Sequence, residues 1–378
     1  MDTTIVTPNG APISSRFHIK TTPTAGRAVF ATNPIPKGTP LVTAEDCLAP
    51  VILRIYRKEV CGWCYAYNLG RPMPFRAPDI GFAFCSTECE AKFRSDAGDI
   101  GVQAWTAVEL LTRKSTRRVE RIENDILTDI DAPRPNPCEI QAAWLKAELH
   151  GEAIRLARLA TTDATKPPKA IRKAFSTPPA VDILPFFLSV LLSAHHHPDT
   201  TTAHISALAS TQTPYPHASD LRADTTSYLH LLSILPLPLL PLLTPTLCLN
   251  LTSQNAHNSF GIRSSHIAPF QSPLSADPDG DEFFGYGTWP SASYFNHSCA
   301  PNLEKKRVGR VWYFSAGRAI ESHEELCISY LGGEERSWSL DRRKDWLSRN
   351  WGFECTCQKC SAQEAKNGLY PSETIQQA

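Results

Sequence analysis

Eight of the twelve cysteines in this 378-residue chain fall into two groups, and that grouping constrains the fold more than any periodicity does. The first is Cys61-x2-Cys64 followed by Cys85-x3-Cys89. The second, Cys355-x-Cys357-x2-Cys360, supplies three thiols and needs a fourth. The first twenty residues hold no apolar run of the kind a secretory leader carries, so the chain is expected to stay inside the cell with its thiols reduced. Clustered thiols in a reducing compartment point to zinc, which prefers tetrahedral sulfur ligation. The first quartet therefore reads as one closed zinc site, and in a segment this short the metal would supply much of the folding energy. For the second group, Cys299, Cys327, Cys47, Cys138 and Cys248 are candidates for the missing ligand. Cys327 lies in the strand-like run ELCISY, where a small buried thiol is the simpler role. Cys299 lies in the polar, turn-prone segment NHSCAPN and is taken as the fourth ligand. Two zinc ions are expected in all.

Charge excludes some functions. Lys plus Arg and Asp plus Glu both number 38, so no net field draws the chain to nucleic acid or to an anionic membrane. The basic run Arg113, Lys114, Arg117, Arg118 and Arg121 reads as a solvated helix face. Tyr228 to Leu251 is long and apolar enough to suggest a membrane span, but Pro236, Pro238, Pro241 and Pro245 interrupt the helical ladder that lipid requires. Buried helix ends joined by a proline-rich bend are expected there instead. Asp277, Asp279 and Asp281 imitate the opening of a calcium loop, yet Thr288 stands where the closing Glu belongs, so an acidic turn is the reading.

Along the chain, residues 1–15 read as a loose tail, and Ala28–Phe30 and Leu41–Val42 as strand pieces around a turn at Pro36–Gly38. Helical spacing runs from about Ile100 to Leu159, with Trp105, Val108 and Leu111, then Val119, Ile122 and Ile126, on apolar faces. Residues 161–180 and 194–226, rich in Thr, Ala, Pro, Ser and His, read as flexible insertions, with His195, His196 and His197 on a surface loop. VDILPFFLSVLLSA between them reads as a buried helix, and short strands are expected to resume from about Asn250. The tryptophans of the C-terminal third (Trp289, Trp312, Trp338, Trp346 and Trp351) could form an aromatic cage, but core anchoring is the plainer role.

SYFNHSCAPN, then ELCISY, then FECTCQKC is a specific combination. It resembles the SET domain of protein lysine methyltransferases with its post-SET zinc tail, and GRAVFAT near the N-terminus looks like the opening SET motif. The CGWC…FCSTEC block is similar to a MYND zinc finger, so the whole resembles the SET-and-MYND family, over about 26–90 and 255–362. Two departures stand out. The middle Cys pair and the closing His/Cys pair of a full finger are absent, which leaves one zinc in a reduced finger; and Ala28 stands where a second Gly is usual. The chain also stops soon after its last cysteines, so the helical-repeat domain of larger members is not expected.

The resemblance implies an α+β fold: a SET-type β-fold of short strands, interrupted by the reduced finger and a helical insertion, with a post-SET zinc tail. The expected divisions are 1–15 tail, 16–55 N-terminal SET part, 56–98 finger, 99–250 helical insertion, 251–335 C-terminal SET part and 336–378 post-SET region. It implies S-adenosylmethionine-dependent methyl transfer to a lysine of a histone or another protein, or else a weakly active scaffold that binds proteins. Tyr330 would then be the catalytic tyrosine. Gly26, Arg27, Asn258, Asn296 and His297 would border the cofactor, and Phe353 the substrate channel. A nuclear or cytoplasmic monomer is expected.

Overall fold

The computed structural model describes residues 5–23, 25–119, 133–160, 167–264 and 282–369. Two compact units divide the chain, one made of Met1–Asp46 with Ser291–Ala378 and the other of Cys47–Pro290. The first begins with a small hairpin, β1 (Ile5–Val6) against β2 (Pro12–Ile13), whose turn is closed by Gly10 at φ 80°. The described part of the expected loose tail is therefore ordered by backbone pairing. Strand β3 (Phe17–Thr22) pairs antiparallel with β4 (Gly26–Ala31), and β5 (Pro40–Ala44) follows the turn at Gly38, so the two expected strand pieces lie in β4 and β5.

The middle unit starts with β6 (Leu48–Ile52). A short hairpin follows, β7 (Phe75–Ala77) with β8 (Phe82–Phe84), leading into α1 (Thr87–Val119). The helix is broken at Gly98, whose φ of 63° and ψ of 176° leave the helical region. Trp105 and Val108 are buried on its apolar face, as their spacing requires. Helix α2 (Pro137–Leu159) opens with a capping box, Asn136 and Glu139 each accepting from the other's backbone N–H. Then come α3 (Lys169–Ala174), α4 (Ile183–His196), α5 (Pro198–Ala207), α6 (Ala218–Ile234) and α7 (Pro245–Asn258). Helix α4 is the buried helix expected, with Leu184, Phe187, Leu188 and Leu191 no more than 1 % exposed. Strands β9 (Ser259–Arg263) and β10 (Phe283–Thr288) complete a sheet of order β6-β10-β9.

Three expectations fail in this unit. Residues 169–174, 198–207 and 218–226 are helical, not flexible insertions, and strands resume at Ser259 rather than near Asn250. The cause is visible in α6, where Asp224, Ser227 and His230 occupy buried positions among Leu221, Tyr228 and Leu231 and hide the apolar period. The histidine run closes α4 instead of lying on a loop, and the His196 ring nitrogen reaches the Ala97 carbonyl at 3.0 Å. Arg121, Ile122, Ile126, residues 161–166 and the acidic turn at Asp277, Asp279 and Asp281 lie outside the described residues.

The proline-rich bend is built as expected. Helix α6 stops at Ile234, a single 3-10 turn spans Leu237–Leu239, and Thr244 caps α7 by accepting from Leu247 N at 3.1 Å. Prolines free carbonyls that a continuous helix would use. Two arginines of α2 satisfy them: Arg158 donates to the Leu232 and Leu235 oxygens, and Arg155 to those of Leu240 and Leu243. No helix among the described residues is long and apolar enough to cross a membrane.

The first unit resumes with the two-residue strand β11 (Asn296–His297), then the hairpin β12 (Leu303–Val308) and β13 (Val311–Ala316), which turns at Gly309. Strand β13 also pairs with β5, burying Trp312 and Phe314, each 1 % exposed. Strand β14 (Cys327–Ile328) lies parallel to β11 and carries the buried Cys327 thiol within a strand, as its sequence suggested. Two helices form the tail. They are α8 (Leu340–Trp351), ended by Gly352 at φ 72°, and α9 (Gln358–Leu369).

Candidate active site and metal centres

Both quartets close in space. The Sγ atoms of Cys61, Cys64, Cys85 and Cys89 lie within 4.8 Å of one another, and so do those of Cys299, Cys355, Cys357 and Cys360. Cys299, not Cys327, is the fourth member of the tail group. Tetrahedral Zn–S bonds of about 2.3 Å place neighbouring sulfurs about 3.8 Å apart, whereas a disulfide needs about 2.05 Å. The observed separations are 3.6 Å for Cys64–Cys85, 3.5 Å for Cys85–Cys89, 3.9 Å for Cys299–Cys355 and 3.6 Å for Cys360–Cys299. Those distances suit a tetrathiolate ion site and exclude a disulfide. Backbone geometry prepares both sites. Hydrogen bonding with the Cys64 thiol, and then with backbone N–H groups of Cys64, Cys85 and Trp63, pulls the Cys61 thiol below its ordinary value against the opposing effect of burial. In the tail, Cys299 N donates to Cys357 Sγ at 3.4 Å.

Around Tyr330 the parallel β11–β14 pair brings two distant motifs side by side, Asn296 beside Cys327 and His297 beside Ile328. Tyr330 N donates to His297 Nδ1 at 2.9 Å. A backbone N–H can only donate, so Nδ1 carries the lone pair and the ring proton sits on Nε2, 3.3 Å from Cys299 Sγ. Burial pushes the imidazole down to about 4, which keeps it neutral in that role. The Tyr330 hydroxyl donates to the Phe295 carbonyl at 3.0 Å, and burial raises its ionisation above the usual phenol range. Trp351 lies against its ring at 4.5 Å and 40°, Phe353 meets it edge-on at 6.2 Å, and His297 stands at 5.3 Å.

Asn296 ties this loop to the N-terminal motif. Its Nδ2 donates to the Arg27 carbonyl at 3.0 Å and to Glu325 Oε1 at 2.9 Å. The Arg27 guanidinium stacks 4.5 Å over Tyr294. Gly26 has φ 65°, a conformation side chains resist, and open space where a Cβ would stand. Gly26, Arg27, Asn296, His297, Tyr330 and Phe353 thus share one unit. Asn258 belongs to the other. It is 3 % exposed at the end of α7 and donates to the Ala209 and Gln254 carbonyls.

Several supporting residues escaped the sequence reading. Asn302, 3 % exposed, donates to Glu324 and to the Glu325 carbonyl, and its Oδ1 accepts from Cys327 N at 2.8 Å. Nothing distinguishes it in sequence from a turn Asn after proline. Trp351 belonged to the tryptophan group read as core anchors, yet it forms one wall of the Tyr330 site. Trp289 and Trp312 do anchor cores, and Trp338 and Trp346 pair edge-to-face.

The SET domain family matches residues 26–331, most of the chain. The chain belongs to the SET-domain family. Its relatives include "Potential protein lysine methyltransferase SET6" of Saccharomyces cerevisiae, 25 % identical over 393 residues that cover 93 % of this chain and 96 % of that one. The "SET and MYND domain-containing protein DDB_G0273591" of Dictyostelium discoideum is 38 % identical over 82 residues, covering 22 % of this chain and 19 % of that protein. "Protein-lysine N-trimethyltransferase SMYD5" of Gallus gallus is 41 % identical over 81 residues, covering 21 % and 19 %. The chain thus spans about a fifth of the length of these last two. A SET domain accompanied by a finger-like Cys quartet and SET-and-MYND relatives bears out the resemblance read from the motifs.

Proposed function

We propose that this SET domain transfers a methyl group from S-adenosylmethionine to the side-chain amine of a lysine in a protein substrate, in the nucleus or cytoplasm. The observation that carries the reading is the convergence of Tyr330, the β11 loop and the thiol tail in one unit, together with relatives named as protein lysine methyltransferases. The methyl donor supplies an electrophilic methyl group. Gly26, Arg27, Asn296 and His297 would hold it, and the open space at Gly26 and the Arg27–Asn296 bond fit that task. Asn296 Nδ2 and both ring nitrogens of His297 have partners within the protein, so their contribution to binding falls to Asn296 Oδ1 and to backbone groups.

The residues of this chain account for the rest of the chemistry. The Tyr330 hydroxyl donates its hydrogen bond to Phe295 O, which leaves oxygen lone pairs to accept an N–H from the incoming amine and aim its nitrogen. The rings of Trp351, Phe353 and Tyr330 form an apolar wall. Burying an ammonium against such a wall favours its neutral form, the nucleophile. Fixing the amine in line with the bond to be broken lowers the barrier by up to about 7–11 kcal/mol. A zinc ion in each quartet would hold the finger and the tail, with the tail ion keeping Trp351 and Phe353 in place. Calorimetric titration with S-adenosylmethionine tests the reading; single-site binding that Asn296→Leu weakens at least tenfold is expected, and no heat of binding refutes it.

A further inference from the structure

We propose that Arg343 is the counter-cation and outer hydrogen-bond donor of the tail tetrathiolate, and through it a positioning residue for Tyr330. The proposal rests on the reading that the tail quartet binds a divalent metal. Arg343 lies in the first turn of α8 and is 1 % exposed. Its Nη2 sits 3.8 Å from Cys360 Sγ and donates to Gln363 Oε1 at 2.6 Å, while Nη1 donates to the Trp338 carbonyl.

Charge arithmetic gives the reason. Four thiolates around a divalent ion leave a net charge of −2. In the tail that charge is largely enclosed: Cys360 is 0 %, Cys355 2 % and Cys299 9 % exposed, with Cys357 alone partly buried. Burying uncompensated charge is costly, so a guanidinium at sulfur distance, which halves the net charge, is strongly favoured. Arg suits the position better than Lys because its planar fork bonds Trp338 and Gln363 and still faces the sulfurs. The finger quartet is built differently. Only Cys61 there is fully buried, and Lys92, about one turn on from Cys89 in α1, is exposed and already paired with Glu88. Water can screen the finger site, but in the tail that role falls to Arg343.

The link to Tyr330 is short. Cys355 follows Trp351 and Phe353, the two rings against Tyr330, and Cys299 Sγ accepts a hydrogen bond from His297 Nε2–H, while His297 Nδ1 accepts from Tyr330 N. A loosened tail ion therefore disturbs the tyrosine from two sides.

The test is zinc release to a chromogenic chelator from the purified full chain, comparing wild type with Arg343→Met, Arg343→Lys and Gln363→Leu. Wild type should hold two zincs. Arg343→Met should release one of them about 10–100-fold faster and leave the other unchanged. Arg343→Lys should fall between, and kcat for methyl transfer should drop in the same order with little change in KM for the donor. Arg343→Met keeps the apolar stem, so if it releases both ions at the wild-type rate, or if Met protects better than Lys, the charge role is overturned. Should Arg343→Met fail to fold, Gln363→Leu decides, since it leaves the guanidinium in place but removes one of its partners. Severalfold faster release of the same single ion supports the proposal, and an unchanged rate refutes it. A wild-type chain with one zinc that Cys61→Ser removes would instead refute the tail-metal reading itself.

Discussion

Replacing Tyr330 with Phe separates chemistry from folding more cleanly than any other change in the site. The ring keeps its contacts with Trp351, Phe353 and His297, and the backbone N–H still reaches His297 Nδ1. Only the hydroxyl and its 3.0 Å bond to Phe295 O are lost. That bond contributes about 0.5–1.5 kcal/mol, and a carbonyl left unpaired costs about 1–3 kcal/mol. Against a total stability of about 5–15 kcal/mol, either loss leaves the chain predominantly folded. If the hydroxyl aims the amine, however, its removal should cut kcat about a hundredfold, or about 2.7 kcal/mol of transition-state stabilisation. The assay pairs label transfer from the methyl donor with calorimetric donor binding and a melting curve. We expect a fall of a few degrees in Tm, donor affinity within threefold of wild type and kcat about 10²-fold lower. A kcat within threefold of wild type, or an equal loss of donor affinity, would refute the assigned role.

Other consequences follow from the geometry. Burial raises Asp224 from 3.8 to about 7, with Thr252 and Tyr215 donating to its carboxylate. A raised carboxylate binds its proton more tightly in the folded state, so stability is fully present below about pH 4 and is lost as pH rises through 7. Asp224→Asn should therefore raise Tm most at pH 8 and change it least near pH 4, and the opposite pattern would count against a buried, protonated group. At Gly151 an added Cβ would stand 2.7 Å from Tyr228 Oη and 2.9 Å from Leu232 Cδ1. The overpacking cost of about 1–3 kcal/mol exceeds the helix-propensity gain of up to about 1 kcal/mol. Gly151→Ala should thus destabilise the α2–α6 packing in denaturant titration, and stabilisation would contradict it. Metal analysis should return two zincs per chain, with Cys61→Ser and Cys360→Ser each removing one.

Metal ligands were the most legible part of the sequence because coordination dictates both residue type and local spacing. Cys61 to Cys89 could be read from spacing alone, and Cys299 was separable from Cys327 because one lies in a turn and the other in a strand. Tyr330, Asn296 and His297 were legible only through motif order, since the contact that joins them is a pair of two-residue strands with no periodic signature. Helices α5 and α6 were hard to read because their buried faces carry Thr201, Asp224, Ser227 and His230, polar residues that break the apolar period, and Asp224 and His230 find partners as distant as Thr252 and the Ala174 carbonyl. Asn258 shows how little a motif says of a side chain's partners: its Nδ2 donates to the carbonyls of Ala209 and Gln254. Arg343 and Asn302 left no trace because a buried guanidinium or amide is recognised by what it touches, not by its neighbours in the chain.

The most direct test incubates the purified chain and a protein extract with S-adenosylmethionine carrying a deuterated methyl group, then maps the label by peptide mass spectrometry. Labelled lysine that disappears with Tyr330→Phe is the predicted result. Label confined to other residue types, or equal lysine labelling with and without the Tyr330 hydroxyl, would contradict it.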